Sequence, residues 1–300
     1  MDYKKVVKSR NVRHSLLKLL NFVPDFLMLK FQYRIKFNRI LNLKNPKRFT
    51  EKIQWYKINY RNSSMKTCVD KYSVREYVSA KNLESTLNQL YGLYDSPKEI
   101  NFSLLPNQFV IKTTNGGGGI NVIICKDKRS FNTEEAVKTL NNWIKVNKSK
   151  GGREWAYYNL KPKIIIEKFL INDENPEAGI TDYKFFCFNG VPRYIVVDID
   201  RYIGHKRNFY DVNWKYINVN SDCPTFGDVL SRPKGLNEML NVAAKLAEDF
   251  PFVRVDLYYI EGQVLFGEMT FYPWSGYVPF DPDNFDFILG DSFRLPLTEN

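Results

Sequence analysis

Hydrophobic and polar positions along the 300-residue chain change their period several times, and each change marks an element. Residues 46–60 (PKRFTEKIQWYKINY) begin with capping signals and continue with aromatic and aliphatic residues at helical spacing, which predicts a core-facing helix. Residues 68–80 (CVDKYSVREYVSA) read as a strand edge or turn running into a second helix. Residues 91–94, followed by Asp95 and Pro97, read as a short strand and turn. Residues 109–112 are of strand type and end in Thr113, Thr114, Asn115 and four glycines, after which 120–125 (INVIIC) is strand-like again. The two predict a hairpin with a flexible tip. Between 131 and 158, Ala136, Leu140, Trp143 and Ile144 recur at helical intervals before a Lys/Gly-rich break at 148–152, predicting two helices on one side of a sheet.

Residues 163–170 (KIIIEKFL) form a nearly continuous apolar run that predicts a buried strand leading into the polar loop 172–178, a candidate hinge. Residues 183–188 and 192–198 flank Asn189-Gly190, a strong hairpin signal. Residues 237–249 predict a helix, and 253–259 and 264–269 a second hairpin turning at Glu261-Gly262. No internal repeat is visible.

Composition is that of a globular protein, 44% hydrophobic and 26% charged. Cys68, Cys125, Cys187 and Cys223 are far apart with no CxxC pair, so they read as reduced, mostly buried thiols of a cytoplasmic protein. With only His14 and His205, chemistry must run on carboxylates, lysines, arginines and backbone. The net charge of +11 is concentrated: residues 1–48 hold thirteen Lys or Arg against Asp2 and Asp25. The apolar stretch 16–31 is broken by Lys18, Pro24, Asp25 and Lys30, so no membrane span is apparent. Leu16, Leu17, Leu19, Leu20 and Phe22 among basic residues suit either an interfacial helix on an anionic leaflet or an amphipathic helix on its own domain.

Three constellations can carry chemistry. Lys112 precedes Gly116, Gly117, Gly118 and Gly119; glycines let backbone N–H groups approach a polyphosphate while the lysine supplies a cation. This is not a Walker A loop, because a strand follows where a helix is needed. Asp256 and Glu268 lie on strands joined by Glu261-Gly262, which places Asp256 opposite Gly267 or Glu268. Two carboxylates side by side need a cation between them, and hard oxygens suit Mg²⁺ bridging phosphates. Glu167, with the backbone of Lys168, Phe169 and Leu170 at the end of a strand, offers the donor and acceptor edge that a nucleobase requires.

The order of these pieces resembles the ATP-grasp superfamily, and within it the TupA-like ATP-grasp proteins of bacterial surface-polysaccharide gene sets. The segments that carry the resemblance are FTEKIQWYK, CVDKYSVREYV, LYGLYD, LPNQFVIKTTNGGGG, KIIIEKFL, DYKFFCFNG, VRVDLY and FGEMTFYPWSG, spanning about residues 49–293. The resemblance implies an α+β ATP-grasp fold in which two α+β subdomains clamp a nucleotide. The chain then divides into a basic helical arm (1–48), an N-terminal region (49–108), a small clamping subdomain (109–170) and a large subdomain with the metal site (171–300). It further implies that Lys112 and the glycine run contact the phosphates of ATP and that Glu167 with Lys168, Phe169 and Leu170 receives adenine. Lys184 and Arg254 would act near the γ-phosphate or acyl intermediate, and Asp256 and Glu268 would hold Mg²⁺. Thr270 stands where the superfamily usually has an asparagine ligand. The implied reaction joins an amino acid or other amine, through an acyl phosphate, to a uronic-acid carboxyl of a capsule, O-antigen or teichuronic-type glycan or its lipid-linked precursor. The basic arm would suit such a polyanion or contact with an anionic membrane from the cytoplasmic side.

Two rivals use other residues or another acceptor. A glycosyltransferase would use Asp198-Ile199-Asp200 as a DxD metal site, and a sugar kinase would use the same nucleotide site without an amine. Nucleic acid is not expected as a partner, since no RNA-binding signature accompanies the basic segment. Tyr183, Arg193, Arg201, Tyr202, Lys206 and Arg207 are candidates for acceptor binding.

Overall fold

A computed structural model describes residues 17–116, 121–145, 150–172 and 175–297. Helices α1 (Asp25–Phe37), α2 (Phe49–Asn59), α3 (Ser64–Val69) and α4 (Val74–Ala80) come first. Strands β1 (Leu90–Tyr94), β2 (Phe109–Thr113) and β3 (Val122–Cys125), helix α5 (Thr133–Trp143) and strand β4 (Ile164–Lys168) follow. The remainder comprises β5 (Asp182–Phe188), β6 (Val191–Ile199), β7 (Lys206–Asp211), β8 (Tyr216–Ile217), α6 (Leu236–Ala247), β9 (Phe252–Ile260), β10 (Gln263–Thr270) and α7 (Asn284–Ser292).

The strands form two antiparallel sheets, one in the order β1-β4-β2-β3 and one in the order β10-β9-β5-β6-β7-β8. Period-two alternation gives each sheet two chemically different faces. In the smaller sheet Phe109, Ile111, Cys125, Ile164 and Ile166 enter a core with Leu140 of α5. In the larger sheet Phe185, Cys187, Val253, Val255 and Leu257 share a core with Met239, Val242, Ala243 and Leu246 of α6. Each such fully buried large apolar side chain contributes roughly 1.5–3 kcal/mol relative to exposure.

Both hairpins turn where expected. Asn189 and Gly190 have φ of 50° and 77°, and Glu261 and Gly262 have 51° and 78°, the left-handed pairs whose twist matches the flanking strands. The helix at 46–60 starts at Phe49, with Glu51 accepting the Arg48 N–H at 3.2 Å and the Lys47 N–H at 3.0 Å. Its other end contacts are distant in sequence: Asp286 of α7 accepts from the Thr50 N–H at 2.9 Å and the Thr50 hydroxyl at 2.8 Å.

Elsewhere the expectations need correction. Of the two readings of residues 68–80 the turn holds and the strand edge does not: Cys68 and Val69 close α3, and a turn at 70–73 runs into α4. Beyond α5, the second helix expected before 158 is a single 3-10 turn at Trp155–Tyr157, because the Lys/Gly-rich break leaves too short an apolar stretch. In the N-terminal segment the helix begins after Pro24, whose ring fits the boundary, and ends at Asn38 in a left-handed C-cap. Of the apolar residues named there, Leu16 lies outside the described residues. Leu29 and Tyr33 of α1 pack with Leu41, and the Tyr33 hydroxyl lies 2.9 Å from that of Thr50. Cys68, Cys125, Cys187 and Cys223 are all free, the first three buried.

Candidate active site

A cleft of about 710 Å³ opens between the sheets. On the four-stranded side it is lined by Val110 and Lys112 of β2, Val122 and Ile124 of β3 and Glu167 of β4, the residues that alternate with the core set. Lys112 Nζ donates to Glu167 Oε2 at 2.8 Å, and Arg75 of α4 approaches Glu167 Oε1 at 3.5 Å. Beyond β4, the Lys168 N–H donates to the Gln89 carbonyl and its own carbonyl accepts from Asn88 Nδ2, both at 2.9 Å. Phe169 and Leu170 line the cleft next to them. The Glu167 carboxylate thus faces a cation on each of its oxygens. At the hairpin base the Gly116 N–H donates to the Thr113 carbonyl at 3.2 Å; Gly117, Gly118 and Gly119 lie outside the described residues.

On the six-stranded side, register decides which charges meet. From Gln263 to Phe266, β10 pairs residue for residue with β9; a bulge before Glu268 then shifts the pairing. Glu268 comes opposite Asp256 and Thr270 opposite Arg254. Without the extra residue Glu268 would fall on the opposite face. The bulged residue must be Gly267, since a Cβ there would lie 2.9 Å from the Asp256 carbonyl oxygen. Across β5, Lys184 pairs with Asp256, and Asp182 pairs with Asp198 of β6.

These side chains form one ion network. Arg254 donates through Nε and Nη2 to Asp256 at 2.6 and 2.5 Å, and through Nη2 to Glu268 at 3.1 Å and the Thr270 hydroxyl at 3.3 Å. Its guanidinium lies against both carboxylates and offsets part of their charge. Lys184 donates to Asp182 and, at 3.0 Å, to Asp256. Lys71, between α3 and α4, reaches Glu268 Oε2 at 3.5 Å, and its backbone N–H donates to the Thr114 carbonyl at 2.9 Å. Burial works to raise the Glu268 carboxyl, but Lys71, Arg254, Lys184 and Arg201 together hold it down at about 2. For Asp256 burial prevails and raises the carboxyl against the pull of Arg254 and Lys184.

The family model described as TupA-like ATPgrasp matches residues 51–294. The chain belongs to the TupA-like ATP-grasp family. No curated protein matches it. Among solved structures it is similar to the D-alanine–D-alanine ligase of Bacillus anthracis, with 18% identity over 68% of this chain and 57% of that one, TM-score 0.41. Similarity to the Helicobacter pylori D-alanine–D-alanine ligase is 19% identity over 77% and 59%, TM-score 0.40. A RimK domain ATP-grasp protein from Sphaerobacter thermophilus gives 9% over 78% and 70%, TM-score 0.44. The chain thus spans less than two thirds of either ligase.

Within this ATP-grasp protein, Lys112, Glu167, Lys168, Phe169, Leu170, Asp256 and Glu268 all line the cleft, while Lys184 and Arg254 stand behind Asp256. Among the described residues no group of three or more His, Cys, Asp or Glu converges on one point. Mg²⁺ at a nucleotide site takes one or two carboxylates and completes its shell with phosphates and water, so Asp256 and Glu268 fit that role. The Thr270 hydroxyl is 3.2 Å from Glu268 and 3.3 Å from Arg254, which engages it within the protein.

Sequence reasoning missed Lys71, Arg75 and Asp182, all of which line the cleft. A Lys-x-x-x-Arg spacing one helical turn apart in CVDKYSVREYV was the available signal. Of the acceptor candidates, Arg201 and Tyr202 reach the cleft. Arg207 is buried against Asp198 at 2.7 Å and Asp222 at 2.8 Å, and Arg193 is exposed beside Val191 at the start of β6. Tyr183 packs near Trp214, and Lys206 lies over the Phe226 ring.

Proposed function

We propose that this TupA-like ATP-grasp protein is an ATP- and Mg²⁺-dependent carboxylate–amine ligase. Its acceptor is a uronic-acid carboxyl of a bacterial surface glycan (capsule, O-antigen or teichuronic-type) or of a lipid-linked precursor, and its second substrate is an amino acid or other amine. The observation that carries the reading is the cleft itself: an apolar slot with one Lys–Glu pair on one wall faces paired carboxylates backed by Arg254 and Lys184 on the other. The acceptor carboxylate oxygen attacks the γ-phosphorus and ADP leaves; the amine nitrogen then attacks the acyl carbon, phosphate leaves, and the nitrogen sheds a proton. Bound Mg²⁺ at Asp256 and Glu268 would neutralise phosphate charge. Lys112 and the glycine run hold the phosphates, Phe169 and Leu170 bind the adenine edge, and Lys71, Lys184 and Arg254 offset the negative charge of the transferring group.

The division at residues 48, 108 and 170 goes with this reading, as does a cytoplasmic location with residues 1–48 against the anionic inner leaflet. The glycosyltransferase alternative has less support, because Asp198 is buried and held by Arg207 at 2.7 Å. Incubation with ATP, Mg²⁺ and an amino-acid panel, with and without a galacturonate or glucuronate glycan, tests the ligase. Release of ADP and phosphate should need both amine and uronate and disappear in Glu268→Gln. ADP with a phosphorylated sugar would instead assign a kinase, and UDP from a sugar nucleotide would assign a glycosyltransferase.

A further inference from the structure

Helix α1 is buried on one side only. Met28, Leu29 and Tyr33 face the body of the protein, whereas Phe26, Leu27 and Phe31 are 46%, 48% and 59% exposed. Lys30 and Arg34, also exposed, fall on the same face, because at about 100° per residue all five lie within one arc of the helix. Leu19 and Phe22 just before the helix and Ile40 just after it are more exposed still, at 71%, 83% and 81%. The face carries no unpaired acid: Asp25, at its start, accepts from Arg153 Nη1 at 3.0 Å. Large apolar side chains interleaved with cations, in an otherwise well-packed protein, form a surface that solvation alone does not account for.

We infer that this face docks on an anionic phospholipid bilayer; the inference rests on the membrane-side placement proposed above and names the surface that makes it. A polyanionic glycan would satisfy Lys30 and Arg34 but leave three phenylalanines in water. A second copy related by a two-fold axis would put Lys30 and Arg34 of both copies into one interface whose face supplies no free acid to meet them. A bilayer takes both kinds of group. Phe22, Phe26, Leu27 and Phe31 enter the acyl boundary while Lys30 and Arg34 extend to the phosphates. The buried side of α1 holds the helix to the protein, so it lies flat, and no helix among the described residues is long and apolar enough to cross the membrane.

Co-sedimentation of the full chain with vesicles tests this. Wild type should pellet with phosphatidylcholine vesicles containing about 30 mol% phosphatidylglycerol and much less with pure phosphatidylcholine. Phe26→Ser with Phe31→Ser should lower the partition coefficient about tenfold or more on the anionic vesicles. Lys30→Glu with Arg34→Glu should erase the preference for anionic lipid. Wild type remaining in the supernatant, or binding unchanged in the phenylalanine pair, overturns the inference. So does a concentration-dependent dimer that the phenylalanine pair abolishes while vesicles bind nothing, which would give the face to a second copy. ATP binding, read by isothermal titration on the same proteins, should be equal in all three. Absence of ligase activity with vesicle binding intact would sink the proposed reaction and leave the docking standing.

Discussion

On the four-stranded sheet the cleft face carries Val110, Val122 and Ile124 around Lys112 and Glu167, whose carboxylate Arg75 of α4 also approaches, whereas on the six-stranded sheet Asp182, Lys184, Arg254, Asp256 and Glu268 crowd together. Both sheets are antiparallel and both use one face for a core, so the difference lies in what the alternate positions hold. An apolar wall with a few polar points suits a flat base, since shape and desolvation do the holding. A wall of compensated charges suits groups that gain or lose charge during reaction, because its dipoles are already oriented before substrate arrives. The cost is borne by folding: each buried ion must keep its partner.

The largest expected effect therefore comes from removing a cation on the charged wall. Lys184→Met leaves Asp182 and Asp256 short of a partner in a buried setting, and should lower unfolding free energy by about 3–5 kcal/mol in urea titration. A loss under about 1 kcal/mol would mean that Arg254 and Arg201 carry the charge balance without it.

A smaller effect isolates burial from pairing. Lys57 of α2 is fully buried but donates only to neutral acceptors, Gln54 Oε1 at 3.1 Å and the Ser275 carbonyl and hydroxyl at 2.9 Å. Burial pushes its ammonium down to about 8, opposed by Glu154. Between pH 8 and the ordinary lysine range the unfolded chain binds the extra proton, so stability contributed at this site rises with pH. Wild type should gain about 3 kcal/mol over that window relative to Lys57→Met. Parallel pH profiles for the two proteins would show that Lys57 titrates normally.

The smallest effect should come from the apolar wall. Lys112→Met, on a half-buried pair, should change stability by no more than about 1 kcal/mol while weakening ATP binding about tenfold. A stability loss as large as that of Lys184→Met would erase the contrast between the two walls.

Much of this was readable from the chain because the hairpins are local. Asn189-Gly190 and Glu261-Gly262 fix their own turns, and alternation then assigns Asp256 and Lys184 to one face. The Gly267 bulge narrowed the expected pairing of Asp256 to Glu268, a choice that turn geometry alone leaves open by one residue. What escaped was non-local. The bond from Thr50 to Asp286 joins residues far apart in sequence, and Lys71 and Arg75 line the cleft only because the α3–α4 turn and α4 stand against it. Strand β7 was not foreseen either, since KRNFYD mixes charges that are paired in the fold, such as Arg207 with Asp198, and so hides its burial.

Lys71 holds Thr114 at the base of the glycine hairpin through its backbone and Glu268 on the opposite sheet through its side chain. A chimera that exchanges either jaw of the clamp with that of a relative therefore has to import the matching α3–α4 segment with it. The unit of recombination in this protein is a jaw together with its helical keystone.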